Sequence, residues 1–409
     1  MAETAPQQQI RRRRRAAAAL LAGGLLAACS SPQDSGPGES APSEQAAAVE
    51  YDPQPQVLDE PLPETDAGDA QLPTQFTGRA LLETDWGTPP QEADGVFLAP
   101  GDTGGKLTFT AVDSEGVALW EAERPLSCTG FTLTTDEDQT LAILSDIDEN
   151  AEGSPLGAPT VTAYDLHTGE EVWGPVEVPG PHQGPGMLFA APPEESFGEL
   201  GPAVVLDPAT GEVVFDERDD EELRVLGEHH GTVLVAEEDE LRGYSAGAAD
   251  PEWAVALTDL GWQDEPLRAT AGQNSGQVTA MLIGPSADDR ALVDLQSGQM
   301  LGESLREAGQ DPSSGTWLTL GDDLTGIDPD GVQLFSAELD EDMSVEIVGG
   351  VLAYLRGADQ LHIYNVVTGD QAHAYEPGGE GPLAVPTHIT GTGVGALEIE
   401  DRLFLAVGE

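Results

Sequence analysis

Seven copies of one hairpin pattern, spaced about a blade apart, and unpaired strands left over at both ends of the repeat predict an all-β chain: a β-propeller of about eight four-stranded blades. The clearest copy runs from Val161 to Trp173 and reads Val-Thr-Ala-Tyr-Asp-Leu-His-Thr-Gly-Glu-Glu-Val-Trp. Two alternating runs, 161–164 and 170–173, flank Asp-x-x-Thr-Gly, the pattern of two antiparallel strands joined by a short loop. Asp165 can accept hydrogen bonds from backbone N–H groups two residues on, and Gly169 can take the positive φ that turns the chain back. Trp173, on the returning strand, is large enough to fill a gap between neighbouring sheets.

In chain order, the first feature is an export signal. Arg11 to Arg15 precede an apolar run of thirteen residues, Ala16 to Ala28, which is too short for the roughly twenty that a membrane-spanning helix needs. A basic head, a short apolar body and small residues before a cut make a secretory signal. Leu26-Ala27-Ala28-Cys29 resembles the lipobox of bacterial lipoproteins. That resemblance implies cleavage between Ala28 and Cys29, a diacylglyceryl group on the Cys29 sulfur, and lipid-anchored residence at a cell membrane on its extracytoplasmic side. A plain signal peptide with a chance cysteine is the alternative. Residues 1–28 are read as the signal peptide and residues 29–75 as a linker. Between Ser30 and Gln75 there are ten carboxylates, no Lys or Arg, and almost no apolar side chain. Such a composition does not bury enough surface to offset its ordering entropy, which predicts a disordered acidic tether reaching roughly 40 Å.

The propeller is assigned to residues 76–409. Ahead of the first full repeat stands an orphan strand, Ala80 to Trp86, ending as an outer strand would. The hairpins then follow with turns at Asp113 and Gly116, Asp165 and Gly169, Asp207 and Gly211, a degenerate copy from Gly243 to Trp253, Asp294 and Gly298, Asp328 and Gly331, and Asn365 and Gly369. Intervals between the turn glycines, counting Gly247 for the degenerate copy, are 53, 42, 36, 51, 33 and 38 residues. These scatter about the 40-odd residues of a four-stranded blade. The chain ends on an inner pair, Val394 to Ile399 and Leu403 to Val407, with no outer hairpin after it. Joining it to the orphan strand makes one composite blade from both termini, and so eight blades. Seven is the alternative if the degenerate copy is an insertion.

The repeated Asp-x-x-Thr-Gly-x-x-x-Trp resembles the repeat of propellers named after pyrroloquinoline quinone, over roughly residues 76–409. Enzymes of that fold carry a quinone at the propeller axis, and those of methanol-oxidising type add a vicinal cysteine pair and a calcium ion. This chain has only Cys128 in the propeller, read as a small buried hydrophobe, so the resemblance implies the repeat and no cofactor. Asp146-x-Asp148-x-Asn150 begins like a calcium loop, but Ala151 stands where the sharp turn needs glycine and Gly157 where a closing acid belongs. His229 and His230, as neighbours on one strand, are expected to face opposite sides and so not to share a metal. No nucleophile elbow, phosphate-binding loop or zinc-protease helix motif is present. No catalytic, cofactor or metal residue is therefore assigned.

Net charge is −59, and removing the signal leaves 11 − 74 = −63, a field that repels nucleic acid and anionic lipid. The reading that follows is a lipid-anchored, extracytoplasmic, monomeric propeller. It acts as a non-catalytic binding or scaffold module for an envelope protein or secreted ligand, touching the membrane through its lipid only. In anchor and fold it is similar to the propeller lipoproteins that assist outer-membrane protein assembly, with the long acidic tether as a departure. The alternative is a quinoprotein-type oxidoreductase or a small-molecule sensor using the axial funnel.

Overall fold

The computed structural model describes residues 51–136, 139–148, 157–192, 201–220, 222–263, 265–271, 280–339, 343–358 and 360–408. Ala28, Cys29 and the part of the linker before Tyr51 lie outside the described residues, as does Asn150. Eight antiparallel sheets follow one another along the chain, each a meander from an inner to an outer strand. Blade 1 comprises Gln91–Ala93, Val96–Asp102, Lys106–Asp113 and Val117–Pro125. Blade 2 runs from Phe131–Asp136 to Glu171–Glu177, blade 3 from Leu188–Ala190 to Val213–Asp216, and blade 4 from Arg224–His229 to Trp253–Ala256. Blade 5 runs from Arg268–Ala271 to Met300–Leu305, blade 6 from Glu307–Gln310 to Gln333–Glu338, and blade 7 from Ser344–Gly349 to Leu361–Asn365.

Blade 8 closes the ring with strands from both ends of the propeller. Ala80–Glu83 lies antiparallel to Arg402–Val407, with Ala80 opposite Val407 and Glu83 opposite Phe404. Eight blades rather than seven are present because the degenerate copy is a true hairpin, in which Gly243 pairs with Trp253.

Each turn is built by the same local chemistry. The Asp165 carboxylate accepts the backbone N–H of His167 and Thr168, and the Gly169 N–H returns to the Asp165 carbonyl at 2.9 Å. Asp113, Asp207, Asp294, Asp328 and Asn365 accept N–H groups two residues on in the same way. Gly116, Gly169, Gly211, Gly298, Gly331 and Gly369 all hold φ between 70° and 86°.

Packing then links one blade to the next. A side chain on Gly169 would meet the Trp120 ring of the preceding blade at 2.9 Å, and one on Gly211 would meet Trp173 at 2.6 Å. Trp253 lies against Gly298 and Phe335 against Gly369 in the same manner. The indoles are also tied by hydrogen bonds, since Trp120, Trp173 and Trp253 donate Nε1 to the carbonyls of Leu166, Pro208 and Leu295 at 2.8, 2.7 and 2.8 Å. Burial of one such indole contributes on the order of 4–6 kcal/mol before entropy is subtracted. The core is accordingly a set of layers between blades, and the second strand of a blade, covered on both faces, is buried almost throughout, as in Val96–Asp102. Three seams depart from the pattern. Gly247 faces Asp207 and Gly331 faces Leu301 instead of a ring, and the closure seam differs as well. Trp86 lies beyond the paired part of its strand and bonds the Thr110 carbonyl at 3.3 Å, while Leu82 takes the place against Gly116.

The expectation of disorder over 29–75 is corrected for residues 51–75, which form a strap along the outer rim. The Pro53 carbonyl accepts from Arg124 Nη1 at 2.7 Å. Gln56–Pro61 adds a fifth strand to blade 1, and Glu64–Thr65 adds one to blade 8. Gln71 then exchanges backbone bonds with Pro382 and Ala384, and Thr74 donates to the Ala374 carbonyl. The composition argument missed this because the strap needs no core of its own. It satisfies backbone groups on sheet edges that the rest of the chain has already built, while Leu62, Ala67, Ala70 and Leu72 pack against the core clusters and Pro73 is buried.

Candidate functional site

The inner strands converge on an axial mouth with a cavity of about 320 Å³, lined from blades 1, 2, 4, 5 and 8 and by the 182–186 segment that leads into blade 3. Four of the seven histidines in the chain, His182, His229, His230 and His388, stand around it. The strand alternation that separates His229 from His230 in a straight strand does not hold. His230 sits at the turn with φ 45°, and the two rings meet edge to face with centroids 4.0 Å apart. Even so, no group of three ligating side chains able to hold a metal ion occurs among the described residues.

The polar groups of the mouth join blades to one another. Gln91 of blade 1 donates Nε2 to the Phe131 carbonyl of blade 2 at 3.2 Å and accepts the Leu133 N–H at 3.0 Å. Across the closure seam, Glu92 of blade 1 lies 3.2 Å from His388 Nε2 of blade 8, and its second oxygen accepts the Gly95 N–H at 2.7 Å. The His388 ring also stands edge-on to Phe97, with centroids 5.6 Å apart. His182 donates Nε2 to the Gly186 carbonyl at 2.7 Å, a bond that fixes the tautomer, and burial lowers its pKa and so favours the neutral form.

Glu228 is the least ordinary member. It is 0% exposed, at the end of the apolar run Val225-Leu226-Gly227. Its carboxylate accepts the Thr134 hydroxyl of blade 2 at 2.8 Å, the Met187 N–H of blade 3 at 3.1 Å and the Gly231 N–H of its own turn at 2.7 Å. Burial pushes its carboxyl up to about 7, against the pull of those three donors. Beside it, His230 Nδ1 lies 2.9 Å from the Thr135 hydroxyl. Thr134 and Glu228 have the form of a hydroxyl with a base, yet both are fully buried, so no substrate atom reaches them.

The residues singled out in the sequence fall elsewhere. Asp113, Gly116, Asp165, Gly169, Asp207, Gly211, Asp294, Gly298, Asp328, Gly331, Asn365 and Gly369 are distributed one pair to a blade and are not gathered at the axis. Asp146 faces Arg124, Nε to Oδ2 3.6 Å, and the stretch of the calcium-like loop that follows Asp148, residues 149–156, lies outside the described residues. Cys128 is buried, and burial raises its thiol to about 11. Sequence reasoning missed Gln91, Glu92, Thr134, His182, Glu228 and His388. The one available signal was a carboxylate inside an apolar strand, Glu228, since a lone charge there must find partners from other blades.

No protein-family profile matches the chain, and no curated protein matches it. Among solved structures, BamB from Moraxella catarrhalis is 14% identical, with 80% of this chain and 97% of that chain covered and a TM-score of 0.44. The computationally designed Ika8 protein is 13% identical, with 84% and 100% covered and a TM-score of 0.42. The quinohemoprotein alcohol dehydrogenase from Comamonas testosteroni is 11% identical, with 87% and 77% covered and a TM-score of 0.39.

Proposed function

We propose that the chain is a propeller held on the extracytoplasmic side of a membrane by a lipid on Cys29, where it serves as a non-catalytic binding module for an envelope protein. The observation that carries the anchor is Leu26-Ala27-Ala28-Cys29 at the end of a short apolar run behind five arginines. The non-catalytic part is supported by how the axial groups are used: Gln91, Glu92 and Glu228 hold blades together, and the hydroxyl nearest a carboxylate is sealed from solvent. The rim, where five-stranded blades carry the strap, and the broad faces of the ring are then the surfaces open to a protein partner.

Cys29→Ser tests the anchor. The variant is expected to leave the membrane fraction or to accumulate uncut; a cleaved mutant that stays membrane-bound overturns the lipoprotein reading. A pull-down from native envelope tests the module, with a stoichiometric protein partner as the expected result. A second reading, a small-molecule sensor, is favoured by the axial cavity, whose volume of about 320 Å³ is at the low end of those that hold ligands. A small compound that co-purifies in place of a protein decides for it. Pyrroloquinoline quinone offered with calcium is expected to show no saturable binding and no dye reduction, and turnover with either an alcohol or a sugar overturns the non-catalytic assignment.

A further inference from the structure

We propose that the outer edge of blade 1 is a docking site for a basic, extended segment of a partner protein, which adds to Val117–Pro125 as a strand in place of the strap. That edge already holds an added strand, since Gln56–Pro61 lies on it antiparallel. The strap fills the site incompletely. Its pairs run only from Gln56 opposite Glu121 to Pro61 opposite Val117, and the register breaks between Val57 and Glu60, where Asp59 sits in the left-handed region at φ 52°. Pro53, Pro55, Pro61 and Pro63 have no N–H to give to an edge. Residues 51–75 also carry six carboxylates, Asp52, Asp59, Glu60, Glu64, Asp66 and Asp69, and no Lys or Arg. Among the described residues none of the six, nor Glu121 on the edge itself, is ion-paired. In a chain of net charge −59, backbone bonds, the Arg124 contact to Pro53 and the packing of Leu62 thus hold the strap against repulsion.

The edge itself gives the chemistry of the newcomer. Along its nine residues Val117, Leu119, Glu121 and Glu123 are partly exposed, while Ala118, Trp120, Ala122 and Arg124 between them are buried. An antiparallel strand meets Glu123 and Glu121 first and Leu119 and Val117 after them. It is therefore recognised by two basic side chains followed by two apolar ones at every second position, with its backbone supplying the ladder. Glu123 is already bonded to Lys106, which leaves Glu121 as the carboxylate with most to gain. The strap, being tethered, competes at an effective concentration on the order of millimolar. A partner overcomes it through the new charge pairs and an unbroken ladder free of proline. This inference rests on the reading of the chain as a binding module and does not need the lipid anchor.

The probe is the capped peptide acetyl-Lys-Thr-Lys-Thr-Val-Thr-Val-amide, offered to the full chain at low salt. Binding is read by calorimetry, and hydrogen exchange of the strap by mass spectrometry. Saturable binding is expected, with exchange over residues 56–60 faster by on the order of tenfold or more at saturation and residues 117–125 still protected. The same peptide with Glu for Lys, or N-methylated at alternate residues, is expected to bind on the order of tenfold more weakly, since one lacks the charge and the other the ladder. A disulfide joining Gln56→Cys to Glu121→Cys fixes the strap, and this oxidised form is expected to bind on the order of tenfold more weakly than the same variant reduced. No saturable binding, binding that leaves strap exchange unchanged, or equal binding by the N-methylated peptide overturns the proposal. The exchange readout needs only the wild-type chain, so it decides even where the double variant fails to fold. The pull-down from native envelope separates the two readings: a partner captured equally by the oxidised and reduced variant overturns the edge as its site and keeps the module, whereas capture of no partner overturns the module.

Discussion

A turn glycine is the smallest unit on which the ring depends. Gly169 holds φ 71° and lies against the Trp120 ring, so a methyl group there meets two objections at once. The left-handed backbone costs an L-residue roughly 1–2 kcal/mol, and forcing the indole aside adds roughly 1–3 kcal/mol. Gly169→Ala is therefore expected to lower the urea midpoint by the equivalent of about 2–4 kcal/mol, provided the slope is unchanged. Gly104→Ala is the comparison, since Gly104 also has positive φ, at 70°, but open space around it; it should lose only the backbone part. Trp120→Phe asks a different question. It keeps an aromatic ring but strands the Leu166 carbonyl, and a loss of about 1–3 kcal/mol beyond the change in size is expected by the same measurement.

The strap is the element whose behaviour departs most from its composition. Gln56–Pro61 is largely exposed, and Val57 is 73% exposed, so its side chains contribute little. Its backbone, by contrast, covers the outer edge of blade 1 from Gln56 opposite Glu121 to Pro61 opposite Val117. Val57→Lys should accordingly stay within about 0.5 kcal/mol of the parent in denaturant unfolding. Deleting 51–65 uncovers the outer edges of blades 1 and 8 together, and it is expected to lower the melting temperature by several degrees and to promote association at high protein concentration, read by light scattering. Arg124, only 1% exposed, donates to the Pro53 and Glu123 carbonyls, so Arg124→Ala should raise hydrogen exchange in residues 51–55 before it alters the blades.

For the whole molecule, closure and charge dominate. Blade 8 is complete only when Ala80–Glu83 meets Arg402–Val407, and Glu92 with His388 seals the same seam near the axis. Truncation after Ile399 removes the central strand of that blade and is expected to abolish cooperative unfolding by calorimetry rather than merely shift it. The net charge of −59 repels itself in the compact state, and salt screens that repulsion within about 10 Å at 0.1 M. The melting temperature should therefore rise between low and moderate ionic strength, whereas an unchanged value would mean that the carboxylates are compensated locally.

What the sequence by itself determined is whatever is built within a few residues. Asp165 and Gly169 make their turn with backbone groups between them, and the Asp-x-x-Thr-Gly spacing announces that turn wherever it recurs. Blade number followed from those spacings together with the unmatched strands at the ends. The same local pattern at Asp311-Pro312-Ser313-Ser314-Gly315 escaped notice because it joins two inner strands, where Asp311 is buried and bonded to the serines instead of lying on an outer hairpin. Only the tertiary structure decided the rest. Pro53 meets Arg124 across 71 residues, Thr134 meets Glu228 across 94, and Glu92 meets His388 across 296. These contacts exist because closing the ring creates edges and an axis that have no counterpart in the linear chain. A polar strap becomes ordered on such an edge, and an ordinary glutamate becomes a buried carboxyl at such an axis, through surroundings that no local window contains.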